Sequence, residues 1–187
     1  MRLHRPRIAP LDPADMLPEH QEALKDFGPG PIFNIFRTLA RAPKALTRFN
    51  FWGGYVLSRR NDLPAREREI LILRVGYLCR SGYEFAQHER IGLDSGLTKD
   101  EIARIKAGAA AGWGAADAAL IQAADELVGD HFIADVTWNT LREHFTEKQC
   151  MDVVFTCGQY TQVSMMLNSF GVQLDDDLTL DPDLAAY

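Results

Sequence analysis

Residues 66–97 read REREILILRVGYLCRSGYEFAQHERIGLDSGL, and the fold turns on whether their apolar run is helix or strand. Taken alone, ILILRVGYLC fits a buried strand as well as a buried helix. The lead-in decides between them. Pro64-Ala65-Arg66-Glu67-Arg68-Glu69 puts proline first and carboxylates in the early turns, where free N–H groups and the helix dipole favour them. No partner strand is legible elsewhere in the chain. The stretch therefore predicts a buried helix to about Cys79, a break at Arg80-Ser81-Gly82, and a second helix over Tyr83–Ser95. Gly96 serves as the C-terminal cap.

Working outward, helix signals continue in both directions. Residues 1–17 look like an extended arm. Pro18 opens a short helix to about Phe27, and Gly28-Pro29-Gly30-Pro31 is a hard break. Helices follow over Ile32–Arg41 and from Pro43 to Asn61-Asp62. Thr98-x-x-Glu101 and Thr146-x-x-Gln149 are capping boxes. The first starts a helix to about Lys106, and the second starts a long, mostly apolar helix ending near Gly171. Between them lie a loop at 108–114, an amphipathic helix at 115–129 and a helix to Phe145 with Asp135 as its cap. The tail, LDDDLTLDPDLAAY, is acidic and reads as loosely held. The fold class is all-α in a single domain. The boundaries are an N-terminal arm and first-helix start at 1–24, a helical domain at 25–175, and an acidic tail at 176–187.

Composition narrows the function classes. The chain has 187 residues, of which 47% are hydrophobic, enough to bury a real core. Twenty Lys and Arg stand against 26 Asp and Glu, a net charge of -6, which disfavours non-specific nucleic-acid binding. No 18-residue apolar run suggests a membrane span, and the N-terminus lacks a secretory apolar core. Three cysteines, Cys79, Cys150 and Cys157, form no complete disulfide framework and show no four-ligand zinc spacing. The expectation is a cytoplasmic protein with Cys150 and Cys157 as small core residues.

Chemistry gathers around His88. Glu84 and His88 are four apart on one helix face, so a carboxylate orients an imidazole and favours its charged form. That suits a general acid or base. The plainer reading is a solvated surface pair worth a few tenths of a kcal/mol. Glu69 lies 12 residues before Ser81 and His88 seven after it, so in a folded-back helix pair their heights differ by about 8 Å. Two long side chains could meet across that offset, though the spacing does not force it. Tyr83 adds a phenol one position before Glu84, facing partly away.

This stretch resembles the carboxymuconolactone decarboxylase family, which includes the alkylhydroperoxidase D-like proteins. The likeness rests on Glu69 and His88, nineteen residues apart, and on RSGYEFAQH. GPGPIFNIFRTLARAPKAL upstream and VFTCGQYTQVSMMLNSFGVQLD downstream extend it to about residues 25–175. Redox members carry C-x-x-C-x-x-x-H. The two cysteine positions fall on Ser81 and Glu84, so the chain resembles a branch without that pair. The resemblance implies an alkylhydroperoxidase D-like helical bundle that assembles as a dimer, trimer or hexamer.

It also implies a site and a reaction. In the favoured reading the protein is an enzyme without cofactor or metal. It performs acid–base chemistry (decarboxylation or a related lyase or isomerase step) on a small organic acid or lactone of aromatic catabolism. His88 transfers the proton, Glu84 and Glu69 orient it, and Tyr83 donates a hydrogen bond. Arg37 and Arg74, with Arg41 as a further candidate, would hold a substrate carboxylate. Ser81, Tyr160 and Asn168 would complete substrate binding, with Gln159 beside them. An aromatic-rich region, Phe33, Phe36, Phe49, Phe51 and Trp52, reads first as core and second as an apolar substrate wall. Two alternatives come from other classes. One is antioxidant, peroxiredoxin-type activity through Cys79, which lacks a neighbouring resolving cysteine in sequence. The other is a non-catalytic small-molecule binding or assembly protein.

Overall fold

The structure, a computed structural model, describes residues 1–28 and 30–185. The described residues form nine α-helices and no strand. They are α1 (Pro18–Leu24), α2 (Asn34–Leu39), α3 (Pro43–Val56), α4 (Ala65–Leu78), α5 (Gly82–Asp94), α6 (Lys99–Ala107), α7 (Ala115–Gly129), α8 (Asp135–His144) and α9 (Glu147–Phe170). The all-α expectation holds. Of the expected break at 28–31, Pro29 lies outside the described residues, as do Ala186 and Tyr187 of the tail.

α4 is the central element, packed by α5, α7 and α9. Ile70, Leu71, Ile72, Leu73 and Val75 have no exposed surface, so the helix is buried all round rather than along one stripe. Each such side chain contributes about 1.5–3 kcal/mol by leaving water. This is why the run resembles a buried strand when read alone. Its flanks carry the helical information.

The α4–α5 reversal is tight. Arg80 takes a left-handed backbone, φ 53°. The Ser81 N–H then reaches back to the Gly76 carbonyl at 2.8 Å. Two glycines let the helices approach closely. A Cβ built on Gly76 would lie 3.4 Å from Glu84 Cγ, and one on Gly92 would lie 3.2 Å from Leu73 Cδ1 and 3.8 Å from Glu69 Cβ. Gly92 therefore stands level with Glu69, and His88 sits four residues, about 6 Å, from that level.

Capping follows the sequence closely. Thr98 accepts from the Glu101 N–H at 3.2 Å while Glu101 accepts from the Thr98 N–H at 2.8 Å. Thr146 and Gln149 repeat the pattern at 3.2 and 2.9 Å. Some boundaries differ, among them α2, which spans Asn34–Leu39 rather than Ile32–Arg41. α1 ends at Leu24 and passes into a 3-10 turn over Lys25–Phe27. α3 ends at Val56 rather than near Asn61, because the buried Asn61 side chain folds back to donate to the Val56 carbonyl at 3.1 Å. Asp135 begins α8 but does not cap it. Glu126 of α7 instead fastens the start of α8, accepting from the Ala134 N–H at 2.8 Å and the Thr137 hydroxyl at 2.7 Å.

The acidic tail is held, not loose. Asp177 pairs with Arg90 at 2.7 Å, and Asp181 and Asp183 take Lys106 at 3.0 and 2.5 Å. Leu184 is buried, and its carbonyl receives the Met1 ammonium. The N-terminal arm runs beside the end of α9, where the Phe170 carbonyl accepts from the Arg7 and Ile8 N–H groups at 2.8 and 3.1 Å. The expectation failed because low hydrophobicity in the tail hid specific charge partners on α5 and α6.

Candidate active site

Glu69 and His88 meet. Glu69 Oε2 lies 2.6 Å from His88 Nδ1, and the opposite ring nitrogen, Nε2, lies 3.1 Å from Glu84 Oε1. The offset, about 6 Å rather than the expected 8 Å, is closed by the long Glu69 side chain and by the glycine-lined approach of α4 and α5. The two contacts differ in kind. The Glu69 contact is a directed hydrogen bond. The Glu84 contact is an ion pair by distance, but Oε1 has no hydrogen bond of acceptable direction. All three residues are buried, with Glu69 1%, Glu84 3% and His88 6% exposed.

Burial alone would favour a neutral imidazole. The charges of Glu69 and then Glu84, with their hydrogen bonding, outweigh it and push the His88 pKa up to about 10. The ring is an imidazolium at neutral pH. Tyr160 of α9 packs its ring edge-on to the imidazole, with centroids 4.9 Å apart and planes at 83°. Burial, then the charges of Glu84 and Glu69, raise the Tyr160 phenol well above its ordinary value, so it too keeps its proton.

These groups form the base of a cavity of about 440 Å³, in the range that holds small molecules. Its walls are apolar: Phe27, Phe33, Ile35, Phe36, Phe49 and Val163. Glu84, His88, Gln87, Gln159, Tyr83 and Tyr160 supply polar lining, with Asp26 and Asn50 also at its border. Among the described residues no Lys or Arg lines it. Among the described residues no group of three or more His, Cys, Asp and Glu side chains is placed to hold a metal ion.

The expected site residues separate into two sets. His88, Glu84, Tyr83 and Tyr160 border the cavity, and Glu69 backs His88 from behind. Arg37, Arg74, Ser81 and Asn168 do not border it. Arg74 donates to Asp125 at 2.5 Å and to the Ile105 and Lys106 carbonyls at 2.9 and 2.8 Å, pinning α4 to the end of α6 and to α7. Arg37 donates to the Leu11 carbonyl at 2.8 Å and Arg41 to the Ala9 carbonyl at 2.6 Å, so both fasten the N-terminal arm. Asn168 donates to the Cys79 carbonyl at 2.8 Å, stitching α9 to the end of α4. Ser81 is fully buried at the α5 start. Backbone carbonyls and a carboxylate captured these side chains, a demand that spacing alone does not reveal.

Tyr83 borders the cavity, but its proton is committed elsewhere. Its hydroxyl donates to Asp175 at 2.5 Å. Burial and then the Asp175 hydrogen bond and charge push this phenol far up. Asp175 also accepts from Gln87 Nε2 at 2.9 Å and from the Asn34 N–H at 2.8 Å. It thus joins the tail, α5 and the first residue of α2. Asp175 and Gln87 were missed in the sequence. Gln87 adjoins His88 and lies three residues after Glu84, a signal that was there to read. Asp175 sits in an acidic run that gave none.

The aromatic region divides as well. Phe33, Phe36 and Phe49 form cavity wall, whereas Phe51 is 81% exposed and Trp52 stacks on Tyr55 at 5.3 Å. Cys79 lies outside the cavity lining. Burial pushes its thiol up, against smaller opposing effects of Ser164 and Arg2. Cys150 and Cys157 are buried core residues.

Comparisons with known proteins agree with this architecture. Residues 42–126, which include α3, α4, α5 and α6 and most of α7, match the Carboxymuconolactone decarboxylase family. No curated protein matches the sequence. An uncharacterized peroxidase-related protein with an alkylhydroperoxidase AhpD core, from Ralstonia eutropha JMP134, superposes with a TM-score of 0.78 at 18% identity. That match covers 94% of this chain and 95% of the other. A cysteine-to-alanine variant of the debrominase Bmp8, in complex with 2,3,4-tribromopyrrole, superposes with a TM-score of 0.73 at 10% identity, covering 92% and 94%. At such identities the likeness to these structures is one of fold. The stretch from α3 into α7 is thus similar to the carboxymuconolactone decarboxylase family, the chain shares the fold of an alkylhydroperoxidase AhpD core, and Ser81 and Glu84 stand where the resemblance places the redox cysteine pair.

Proposed function

We propose that this protein is an acid–base enzyme of the carboxymuconolactone decarboxylase type, acting on a small, mainly apolar lactone or related unsaturated ring compound. The carrying observation is the Glu69–His88–Glu84 arrangement at the base of an apolar cavity, at 2.6 and 3.1 Å. Glu69 fixes the ring through Nδ1. His88, charged at neutral pH, faces developing negative charge on a dienolate or enolate and returns a proton to carbon. Glu84, beside Nε2 and bordering the cavity, is the base whose removal of a carbon-bound proton forms that enolate, and its proton passes to His88 Nε2 after the step to restore both groups. Positioned proton transfer of this kind contributes about 10²–10⁴-fold, and a strongly shifted group in a cleft supports the assignment.

The organic-acid half of the expectation loses its support, because Arg37, Arg41 and Arg74 are held away from the cavity. An apolar ring fits the walls, and a fold neighbour binds such a ring, 2,3,4-tribromopyrrole. A peroxidase reading through Cys79 has a protonated, off-cavity thiol against it. The homo-oligomer stays part of the proposal, supported by exposed Phe51 (81%) on α3 and Met165 (60%) on α9, two helices that pack together. The test is a panel of unsaturated lactones, followed by change in absorbance as the double bond moves and by uptake of solvent deuterium at carbon. Turnover lost in His88→Gln supports the reading, and turnover unchanged in that variant defeats it.

A further inference from the structure

Two buried acceptors at the cavity lack a well-directed hydrogen bond, although one of them lies 3.1 Å from His88 Nε2. Glu84 Oε1 makes no directed hydrogen bond, and neither does Gln159 Oε1. Both side chains border the cavity, and their residues are 3% and 5% exposed. Buried acceptors are almost always satisfied, so each exception asks for an explanation. Three of the donors nearest Glu84 are engaged or turned away. The Tyr83 hydroxyl is held by Asp175, and Gln87 Nε2 is held by the same carboxylate at 2.9 Å. His88 directs its Nδ1 at Glu69 and meets Glu84 only out of line. The charge balance adds to this. Two carboxylates flank one imidazolium, and no Lys or Arg lines the cavity among the described residues. An anionic ligand would meet surplus negative charge, and a ligand without a donor would leave both acceptors dry.

We infer that the cavity takes an uncharged apolar ring compound carrying an O–H or N–H donor, which bonds to Glu84 Oε1 with Gln159 Oε1 as a second acceptor. This rests on the proposed site and names its ligand class. The ring is held by Phe33, Phe36, Phe49 and Val163. The donor is anchored beside His88 Nε2, the side of the imidazolium that does not face Glu69. Recognition of this kind is selective, because removing the ligand's donor leaves the protein's acceptors unpaired.

The test uses three matched probes, 4-methylphenol, 4-methylanisole and 4-methylbenzoate, titrated calorimetrically into the full chain at pH 7.5. The inference predicts that the phenol binds at least about tenfold tighter than its methyl ether, against the hydrophobic trend, and that the benzoate binds weakest. Glu84→Gln, which removes the charge but keeps the shape, narrows the phenol-to-benzoate ratio by about tenfold or more. Gln159→Leu weakens the phenol while leaving the ether unchanged, so the inference is still tested if Glu84→Gln does not fold. Equal binding of phenol and ether, preference for the benzoate, or no binding of any probe each overturns it. Because the readout is binding, a donor preference without any turnover keeps this inference and removes the acid–base reading. Turnover through His88 without a donor preference does the reverse.

Discussion

Glu69 and His88, nineteen residues apart on neighbouring helices, are joined by a 2.6 Å hydrogen bond with Glu69 only 1% exposed. This contact ties a proton to the fold. In the folded protein the His88 pKa stands near 10 instead of 6.5. Between those values the folded chain holds a proton that the unfolded chain releases. The stability from this group is therefore complete below pH 6.5 and is lost as pH rises through 10. Urea midpoints at pH 6, 8 and 10.5 should fall steadily for the native sequence. The difference from His88→Gln isolates the group and should shrink towards zero at the alkaline end. A difference constant across that range contradicts the assignment.

Activity should depend on the same ring. His88→Ala is expected to fold and to lose about 10²-fold or more of kcat/KM on any substrate found. Retention of more than a tenth of the activity would place proton transfer on another group. Glu69→Gln should be harsher on stability, because removing one partner of a buried pair leaves a charge uncompensated and costs about 3–5 kcal/mol.

Asp175 is predicted to order the cavity wall. Asp175→Asn disturbs the bonds to Tyr83, Gln87 and the Asn34 N–H at 2.5, 2.9 and 2.8 Å. The expected loss is about 1–3 kcal/mol of stability, with the Tyr83 phenol titrating closer to its ordinary 10.0. Ultraviolet difference titration reads the second effect. An unchanged tyrosine titration would show that Asp175 does not control Tyr83.

Gly171 ends α9 in a left-handed conformation, φ 70°, and an added Cβ would lie 2.9 Å from the Arg5 carbonyl oxygen. Gly171→Ala therefore meets both backbone strain and a fixed backbone atom. A loss of about 1–3 kcal/mol is expected, which lowers Tm by about 2–4 °C per kcal/mol in a chain of this size. An unaltered Tm would mean that the N-terminal arm yields freely.

Cys79 is predicted to be dispensable. Cys79→Ser should leave substrate turnover within about twofold of the native protein. Hydroperoxide consumption with a dithiol should be absent from both forms, since the raised thiol supplies little thiolate. Thiol-dependent peroxide turnover that vanishes in Cys79→Ser would move the chemistry off His88.

Much of this fold could be read from local signals. Proline at 64 with acids at 67 and 69, two capping boxes and the Arg80–Gly82 break set most helix starts and the α4–α5 reversal. The end of α3 could not, because Asn61 acts there through a side chain folded back on Val56. The site was legible where a helical period pairs residues, as with Glu84 and His88, and where family spacing added Glu69. The arginines were misread because an Arg side chain looks the same whether a substrate or a backbone carbonyl awaits it. Asp175 was invisible because its role depends on how the tail folds across α5 and α2.

The measurement that bears most directly on the central claim is an NMR pH titration of protein labelled at the histidine ring nitrogens, with His88→Gln to assign the signal. The account predicts an imidazolium at pH 7.5 that loses its proton near pH 10, with the midpoint shifting down in Glu69→Gln. A His88 ring that titrates near 6.5, or is neutral at pH 7.5, would contradict it.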